Sequence, residues 1–210
     1  MRLKIRVNAE FAFVTSALLV LLMGWTSDFF TALAAGHEAA HGGGNLFFRL
    51  NITFFGLGLA AIGVGWQHLD RFLRDPSWSI RYVVGYLILA DGVIHGFAFN
   101  DHLAEPAQAA FFALVTPTQV VVGLGLPYLR QGLDPVWLGL TAFLIAAYVA
   151  TRTLVFWPVG VIEEVETLGI LSKVLEFLAV VLLVQMIRRQ RRASIQTAHE
   201  ARPESSAAPP

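Results

Sequence analysis

Long apolar stretches alternate with short polar segments along most of the chain. Each stretch is close to the roughly 20 residues that an α-helix needs to cross the hydrocarbon core of a bilayer. Lipid offers no partner to an unpaired backbone N–H or C=O group, so helices are the expected structure. The pattern therefore predicts an all-α, polytopic membrane bundle of six transmembrane helices: Phe11 to Phe30, Leu46 to Trp66, Tyr82 to Asp101, Gln108 to Tyr128, Val136 to Trp157 and Leu168 to Ile187.

The overall composition agrees with this prediction. Hydrophobic residues make up 56% of the 210 residues and charged residues only 14%, and the mean hydropathy is +0.61. These values are too apolar for an ordinary soluble domain. We therefore expect a multi-pass protein of the inner (plasma) membrane, in contact with the lipid bilayer and with other membrane subunits as candidate partners. No nucleic-acid partner is expected.

The basic residues collect at alternate ends of the predicted spans, which indicates the orientation. Loops rich in Lys and Arg remain in the cytoplasm under the positive-inside rule. Both termini are accordingly predicted to be cytoplasmic. The residues that carry this prediction are Arg2, Lys4, Arg6, Arg71, Arg74, Arg81, Arg130, Arg188, Arg189, Arg191 and Arg192.

The chain divides into a membrane domain and a tail. Residues 1–187 form the predicted six-helix transmembrane domain. Residues 188–210 are basic at first and then rich in Ala, Ser and Pro, so they are predicted to be a disordered cytoplasmic tail. The absence of Cys excludes disulfides, thiolate metal sites and covalent haem attachment.

An alternative interpretation treats residues 1–35 as a cleaved signal peptide with a small-residue site at Ala32-Leu33-Ala34. Trp25 and Asp28 separate the apolar region from that site, which disfavours this alternative. It would leave five spans.

The spans form three successive hairpins in which similar short sequence elements recur, which suggests a repeat with an offset of about 65 residues. The third hairpin keeps outer carboxylates but has no histidine. Small residues would also permit close helix contacts without any repeat, so both explanations stay open. The matching elements are His37, Phe47-Phe48 and Gly56-Leu57-Gly58-Leu59 against His102, Phe111-Phe112 and Gly123-Leu124-Gly125-Leu126.

The predicted outer connections hold most residues that could bind a metal. In His37-Glu38-Ala39-Ala40-His41 the two imidazoles lie on one helical face, and Glu38 can act as a catalytic base toward metal-bound water. Glycines on both sides of this motif predict a helix end. The alternative is a solvated helix end whose His and Glu side chains contact only water.

The second hairpin adds ligand-type residues to this outer face. Asp91, His95 and His102 follow one another at i, i+4 and i+11, which keeps them near one face of a helix. Imidazole and carboxylate ligands suit copper or zinc. The sequence thus predicts an outward-facing transition-metal site, used for metal handling or for redox or hydrolytic chemistry at the surface. Its candidate ligands are His37, His41, His95, His102, Glu105 and Glu164.

Several polar residues also fall within the predicted spans: Asp91, Gln119, Arg152, Lys173 and Glu176. An ionisable group at the bilayer centre costs at least about 2.5 kcal/mol unless it is paired or hydrated. These residues could form a purely structural salt-bridge network, as in an accessory subunit without metal. They could instead form the path of a proton- or ion-coupled transporter.

Two short motifs resemble known metal sites in membranes. His37-Glu38-Ala39-Ala40-His41 with Asp91-Gly92 is similar to the zinc ligands of intramembrane site-2 metalloproteases, although the Asn-x-x-Pro that precedes their Asp-Gly pair is absent from Val83 to Ala90. Asp91-x-x-x-His95 with His102 resembles the copper site of the particulate methane monooxygenase C subunit in ligand type, with a different spacing.

Residues 80–180 resemble a group of six-span bacterial membrane proteins with repeated helical hairpins. Members carry an Ile-His element, then a His-x-x-Glu element, and a third hairpin with Pro, Gly, Glu and a later Leu-Glu. This resemblance implies the architecture and no particular reaction. The matching residues are Ile94-His95, His102-Leu103-Ala104-Glu105, Pro158, Gly160, Glu164, Gly169 and Leu175-Glu176.

Overall fold

A computed structural model describes residues 8–35, 46–155, 162 and 164–200. The described part is helical, and six of its helices are long and apolar enough to cross a membrane. The all-helical, six-span prediction is therefore confirmed. A short 3₁₀ turn, Gln131–Leu133, precedes the fifth helix. The helices are α1 (Ala9–Ala35), α2 (Leu46–Arg74), α3 (Pro76–Asp101), α4 (Pro106–Gly125), α5 (Asp134–Thr153) and α6 (Thr167–Glu200).

Two helices begin at prolines that lie before the predicted starts of their spans. Pro76 opens α3 and Pro106 opens α4, at the helical position where a missing N–H group has no cost. The carboxylate of Asp75 caps α3 by accepting a hydrogen bond from the backbone N–H of Trp78 at 3.0 Å. Hydropathy detects the part of a helix that lies in the apolar core of the membrane, so it does not detect helix ends outside that core.

The sixth helix continues well past the predicted end of its span at Ile187. Residues 188–200 are helical, although their composition predicts a disordered tail. Arg, Gln and Ala, which are frequent there, are good helix formers. The side chain of Gln190 also donates a hydrogen bond to Asp134 on α5 at 2.7 Å, which holds this part of α6 against the bundle. The remainder of the predicted tail, residues 201–210, lies outside the described residues.

The third helix is the centre of the bundle. In its most apolar window 61% of the residues are buried, against 17% to 33% in the other five spans. It packs against α1, α2, α4 and α6, whereas α5 packs mainly on α6. Charged or ionisable side chains on α3 are therefore turned into the protein and need partners there: Arg81, Asp91, His95 and Asp101.

Glycines let α3 and α4 approach each other closely. A Cβ atom placed on Gly85 would lie 2.5 Å from the carbonyl oxygen of Gly123, and one placed on Gly123 would lie 2.7 Å from the backbone N of Leu89. A side chain at either position would force the backbones apart. This is the small-residue contact expected between membrane helices. The three-fold hairpin repeat stays a prediction.

A buried ion-pair triad joins three helices at one end of the bundle. The guanidinium of Arg49 donates to both oxygens of Asp28 at 2.9 Å and to both oxygens of Asp101 at 2.6 Å. Asn100 donates to Asp28 at 2.8 Å. Since Asp28 is on α1, Arg49 on α2 and Asp101 on α3, this Arg49 triad fixes the mutual position of these helices.

A second buried ion pair marks the opposite end. Arg81 bonds to both oxygens of Asp134, at 2.8 and 3.1 Å, and to the backbone carbonyls of Leu126 and Leu129. Together with Gln190 it connects α3, the α4–α5 connection, α5 and α6. Positive charge predicts that this Arg81 end faces the cytoplasm, and that orientation stays a prediction.

Candidate functional site

Between the Arg49 triad and the Arg81 end, six polar side chains from three helices meet inside the bundle. We call them the Asp91 cluster. The side chain of Lys173 is 17% exposed, and each of the other five residues is at most 5% exposed. The members are Asp91 and His95 on α3, Gln119 on α4, and Ser172, Lys173 and Glu176 on α6.

Helical spacing and one glycine assemble the cluster. Asp91 and His95 are one turn apart on α3, and Ser172 and Glu176 are one turn apart on α6. A Cβ atom on Gly92 would lie 2.9 Å from the Cβ of Gln119, so the glycine lets α4 come close enough for Gln119 to reach both α3 residues.

The hydrogen bonds of Gln119 fix the tautomer of His95. A carboxylate only accepts hydrogen bonds, so the amide NH₂ of Gln119 donates to Asp91 Oδ2, at 2.5 Å. The amide oxygen of Gln119 then faces His95 Nδ1 at 2.6 Å and must accept from it. The neutral imidazole thus carries its proton on Nδ1, and Nε2 keeps a free lone pair.

That lone pair faces the α6 side of the cluster. His95 Nε2 lies 3.4 Å from Ser172 Oγ and 3.8 Å from Glu176 Oε1. The Ser172 hydroxyl donates to Asp91 Oδ1 at 2.5 Å. Both oxygens of Asp91 therefore accept a hydrogen bond, while His95 Nε2 remains able to accept a proton or a metal ion.

The charges of the cluster do not balance when His95 is neutral and both of its carboxylates are ionised. Lys173 Nζ pairs with Glu176 Oε1 at 2.5 Å, which leaves one ammonium against the two carboxylates of Asp91 and Glu176. Glu176 Oε2 is buried and has no hydrogen-bond partner within the described part of the chain. An uncompensated buried charge costs several kcal/mol, so the cluster favours one additional positive charge.

A cavity of about 250 Å³ connects the cluster with the end of the bundle that holds the Arg49 triad. His95, Ser172 and Lys173 line its inner part, and His102 and Glu166 line its other end. The cavity lies between α3, α4, α5 and α6. Polar groups from the surface region can therefore approach the cluster from this side.

Aromatic contacts connect the two histidines that line this cavity. The centre of the Phe112 ring lies 5.5 Å from the ring centre of His95 and 5.4 Å from that of His102, and Phe112 stacks on His102. His102 Nδ1 pairs with Glu105 Oε2 at 2.7 Å. A His–Glu pair thus lies at the other end of the cavity, with Phe112 between it and the buried cluster.

On the other side of the cluster lies a layer of buried apolar side chains from α3, from α4 and the residue that follows it, and from α6. Along α3 this layer lies between Arg81 and Asp91. Its members are Val84, Ile88, Val122, Leu126, Ala179, Leu183 and Met186. The cavity therefore reaches the cluster from the side opposite to this layer.

The predicted metal ligands are only partly brought together. Asp91, His95 and Glu176 each offer a ligand atom within 4.8 Å of the others, and this is the only group of three such residues among those that the structure describes. His95 therefore joins two carboxylates from the predicted intramembrane network rather than His102 and Glu105, which pair with each other.

The remaining members of the predicted outer site are placed as follows. Glu164 is exposed at the start of the segment before α6. His37, His41 and the predicted catalytic Glu38 lie outside the described residues, so their part in a metal site stays a prediction.

Four of the five predicted network residues meet in the cluster, and Arg152 lies apart. Its guanidinium is 4.1 Å from the ring centre of Tyr148 and donates to Thr151 Oγ1 at 2.6 Å. Arg152 lines the cavity, as does Lys173, which is 5.2 Å from the same tyrosine ring. Tyr148 thus separates the two cations on the cavity wall.

Sequence reasoning missed Ser172 and the Arg49 triad. Ser172 lies four residues before Glu176, and this spacing could have placed it on the same helical face. Arg49 follows the start of a predicted span by three residues, and Asp28 lies near the end of the span before it. Charges at these depths are signals for partners on neighbouring helices.

Comparison with protein-family models, with curated proteins and with solved structures finds no match to this chain. Its function is therefore inferred from the geometry and charge of the Asp91 cluster and its cavity.

Proposed function

We propose that the chain is a membrane transporter that moves protons, and that its Asp91 cluster takes up and releases a proton. The observation that carries this proposal is the buried carboxylate oxygen Glu176 Oε2, which has no hydrogen-bond partner among the described residues and lies in a cluster whose His95, Ser172 and Lys173 line a cavity. Ionisable residues inside membrane bundles commonly belong to proton relays or ion pathways. A proton supplies the missing positive charge without requiring space or ligand geometry.

Glu176 is the proposed proton acceptor. Its Oε2 atom is the buried carboxylate oxygen without a partner, whereas both oxygens of Asp91 already accept hydrogen bonds. Protonation of Oε2 neutralises the residual charge and leaves the contact of Oε1 with Lys173 in place.

His95 is the proposed relay between the cavity and Glu176. It lines the cavity, and its Nε2 atom lies 3.8 Å from Oε1 of the Glu176 carboxyl group, so a rotation of that group would bring the unpartnered Oε2 toward Nε2. Phe112 separates His95 from the His102–Glu105 pair, which would exchange protons with the outer solution.

The position of the cavity fits such a cycle. In this conformation the cavity reaches the cluster from the side of the Arg49 end, and the apolar layer lies on the side of the Arg81 end. Protonation removes the charge that opposes movement of the Glu176 side chain into this apolar layer. Release to the other side would follow when the layer opens, which is alternating access around a fixed site.

Replacing Glu176 with Gln is expected to remove the proton site while keeping the size of the side chain. In reconstituted liposomes, dissipation of an imposed pH gradient should fall to the rate of protein-free liposomes. The infrared carbonyl band of a protonated carboxyl group that appears on acidification should also be lost. Both are measured on the same proteoliposomes.

The matched control is Glu166→Gln, because Glu166 lines the cavity outside the cluster. That variant should keep the carbonyl band and the rate of gradient dissipation. Wild-type band and rate in Glu176→Gln would refute the proposed acceptor.

A transition metal is the second candidate for the missing positive charge. Asp91, His95 Nε2 and Glu176 provide a nitrogen and oxygen ligand set that suits zinc or copper, and three protein ligands leave a coordination position open for water or substrate. The partnerless Glu176 Oε2 favours this candidate. Lys173 weighs against a divalent ion, because its ammonium already contacts Glu176 Oε1.

Elemental analysis separates the two candidates. If the cluster holds a metal, gently purified protein contains about one copper or zinc ion per chain. The His95→Gln variant should lose this ion, and the His102→Gln variant should retain it. His102 is a suitable control because it lines the same cavity but pairs with Glu105. Metal-free wild-type protein that still dissipates a pH gradient would reject the metal and favour the proton.

A further inference from the structure

A second and larger cavity lies on the other side of α3 from the proposed transport cavity. It occupies about 970 Å³ between the α1–α2 hairpin and the α3–α4 hairpin. The side chains that line most of its length are apolar, and several of them are also exposed on the lipid-facing surface. Representative members are Phe11, Val14, Leu18, Val64, Leu69 and Leu124.

One end of this cavity carries a polar group built from all four of its surrounding helices or their ends. Glu10 Oε2 pairs with His68 Nε2 at 2.8 Å. Glu10 Oε1 lies 3.3 Å from the hydroxyl of Tyr82 and 3.1 Å from that of Tyr128. The two hydroxyls are 2.6 Å apart.

This group can both donate and accept further hydrogen bonds. The two phenols have one proton each but take part in three close oxygen contacts, so at most two of these contacts are hydrogen bonds at any moment. Lone pairs on a phenol oxygen and on the Glu10 carboxylate therefore remain free to accept a hydrogen bond from a ligand. A phenol that turns away from its neighbour can instead donate to a ligand.

We propose that this cavity binds a quinone or quinol with a long apolar tail. A quinol hydroxyl would donate to Glu10 or a phenol, and a quinone carbonyl would accept from Tyr82 or Tyr128. Aromatic side chains of Phe11, Phe72 and Tyr86 line the cavity and suit a flat ring. The tail occupies the apolar length, which is accessible from the bilayer.

The charge of the polar end distinguishes this ligand from a phospholipid. A phosphate group would lie against the carboxylate of Glu10, which is unfavourable. A neutral head avoids that repulsion. The proposal concerns binding alone and is independent of the Asp91 cluster, which lies in a different cavity.

Two glycines provide a test that leaves the polar group untouched. A Cβ atom on Gly65, which lines the cavity, meets no atom within 4 Å, so a leucine there can extend into open space without disturbing the fold. Gly58 on the same helix also has no atom within 4 Å but lies outside the lining of the cavity. Gly65→Leu and Gly58→Leu therefore form a matched pair.

The experiment uses the full chain in lipid nanodiscs, where phospholipid is always in large excess. A decyl-substituted benzoquinone carrying a photoreactive azide is crosslinked to the protein, and unlabelled decyl benzoquinone competes. Labelled peptides are identified by mass spectrometry. We expect saturable labelling of peptides from α1, α2 and α3 in the wild type and in Gly58→Leu, and its loss in Gly65→Leu.

Removal of both hydroxyls tests the polar end. In Tyr82→Phe with Tyr128→Phe, the concentration of competitor that halves the labelling should rise about tenfold or more, as expected for lost hydrogen bonds. Equal labelling of the same peptides by a photoreactive alkyl chain without a ring would overturn the proposal, since the cavity would then be ordinary space for acyl chains. Undiminished labelling of Gly65→Leu would overturn it as well.

Discussion

Arg49→Met is expected to destabilise the protein by about 3–5 kcal/mol, the range for breaking a buried ion pair by removing one partner. Arg49 is 3% exposed and its guanidinium makes two hydrogen bonds to each of Asp28 and Asp101. Methionine keeps an unbranched apolar side chain but has no charge, so both carboxylates would remain buried without a cation. The free energy of unfolding is measured by denaturant titration in mixed micelles.

Two further variants show whether charge causes the loss. Arg71→Met removes an exposed arginine that lies 3.9 Å from the Asp75 carboxylate and 4.5 Å from the centre of the Trp78 ring, and it should cost about 1 kcal/mol. Adding Asp28→Asn and Asp101→Asn to Arg49→Met removes the stranded charges and should recover much of the stability. A triple variant as unstable as Arg49→Met would mean that packing, and not charge, dominates at this end.

Hydropathy alone was sufficient for the six spans, because the cost of exposing backbone and polar groups to lipid acts on each helix separately. Hydropathy carries no information about which charged side chains contact each other in the folded bundle. Asp91 and Ser172 are 81 residues apart in the chain, and Arg49 and Asp101 are 52 apart. Such contacts depend on which helix becomes central, and α3 carries no local signal for that beyond its many polar residues.

The predicted outer metal site shows what helical periodicity in the sequence does not predict. Asp91 and His95 lie one turn apart on α3, and His102 is the residue at its C-terminal cap. Helical spacing does not say how far apart they lie along the axis or what fills the space between them. Phe112 from α4 lies between the two imidazoles, and Glu176 from α6 reaches only the inner one.

Polar and apolar layers alternate along the axis of α3. The Arg49 triad lies at one end, followed by the cavity and the Asp91 cluster, then the apolar layer with Val84 and Ile88, and finally Arg81 with its partner Asp134. In the two terminal networks every carboxylate oxygen accepts a hydrogen bond, although the Arg49 triad also has one cation against two carboxylates. The central cluster differs because Glu176 Oε2 is buried without a partner, which is the physical reason to assign function to it.

Lys173→Met should separate a structural role of the Lys173–Glu176 pair from proton binding. The single substitution leaves Asp91 and Glu176 as two buried carboxylates without a cation, and we expect a loss of about 3–5 kcal/mol in the free energy of unfolding. Adding Glu176→Gln restores the original balance of one excess negative charge. The double variant should therefore recover a stability within about 1 kcal/mol of the wild type by the same denaturant titration.

Its transport behaviour decides between the two roles. The remaining charge of the double variant is on Asp91, which already accepts hydrogen bonds from Gln119 and Ser172 and needs no proton. We expect a folded protein whose proteoliposomes dissipate a pH gradient no faster than protein-free liposomes. If Lys173 and Glu176 serve only to join helices, the double variant recovers stability and proton flux together, and that result would return the cluster to a purely structural role.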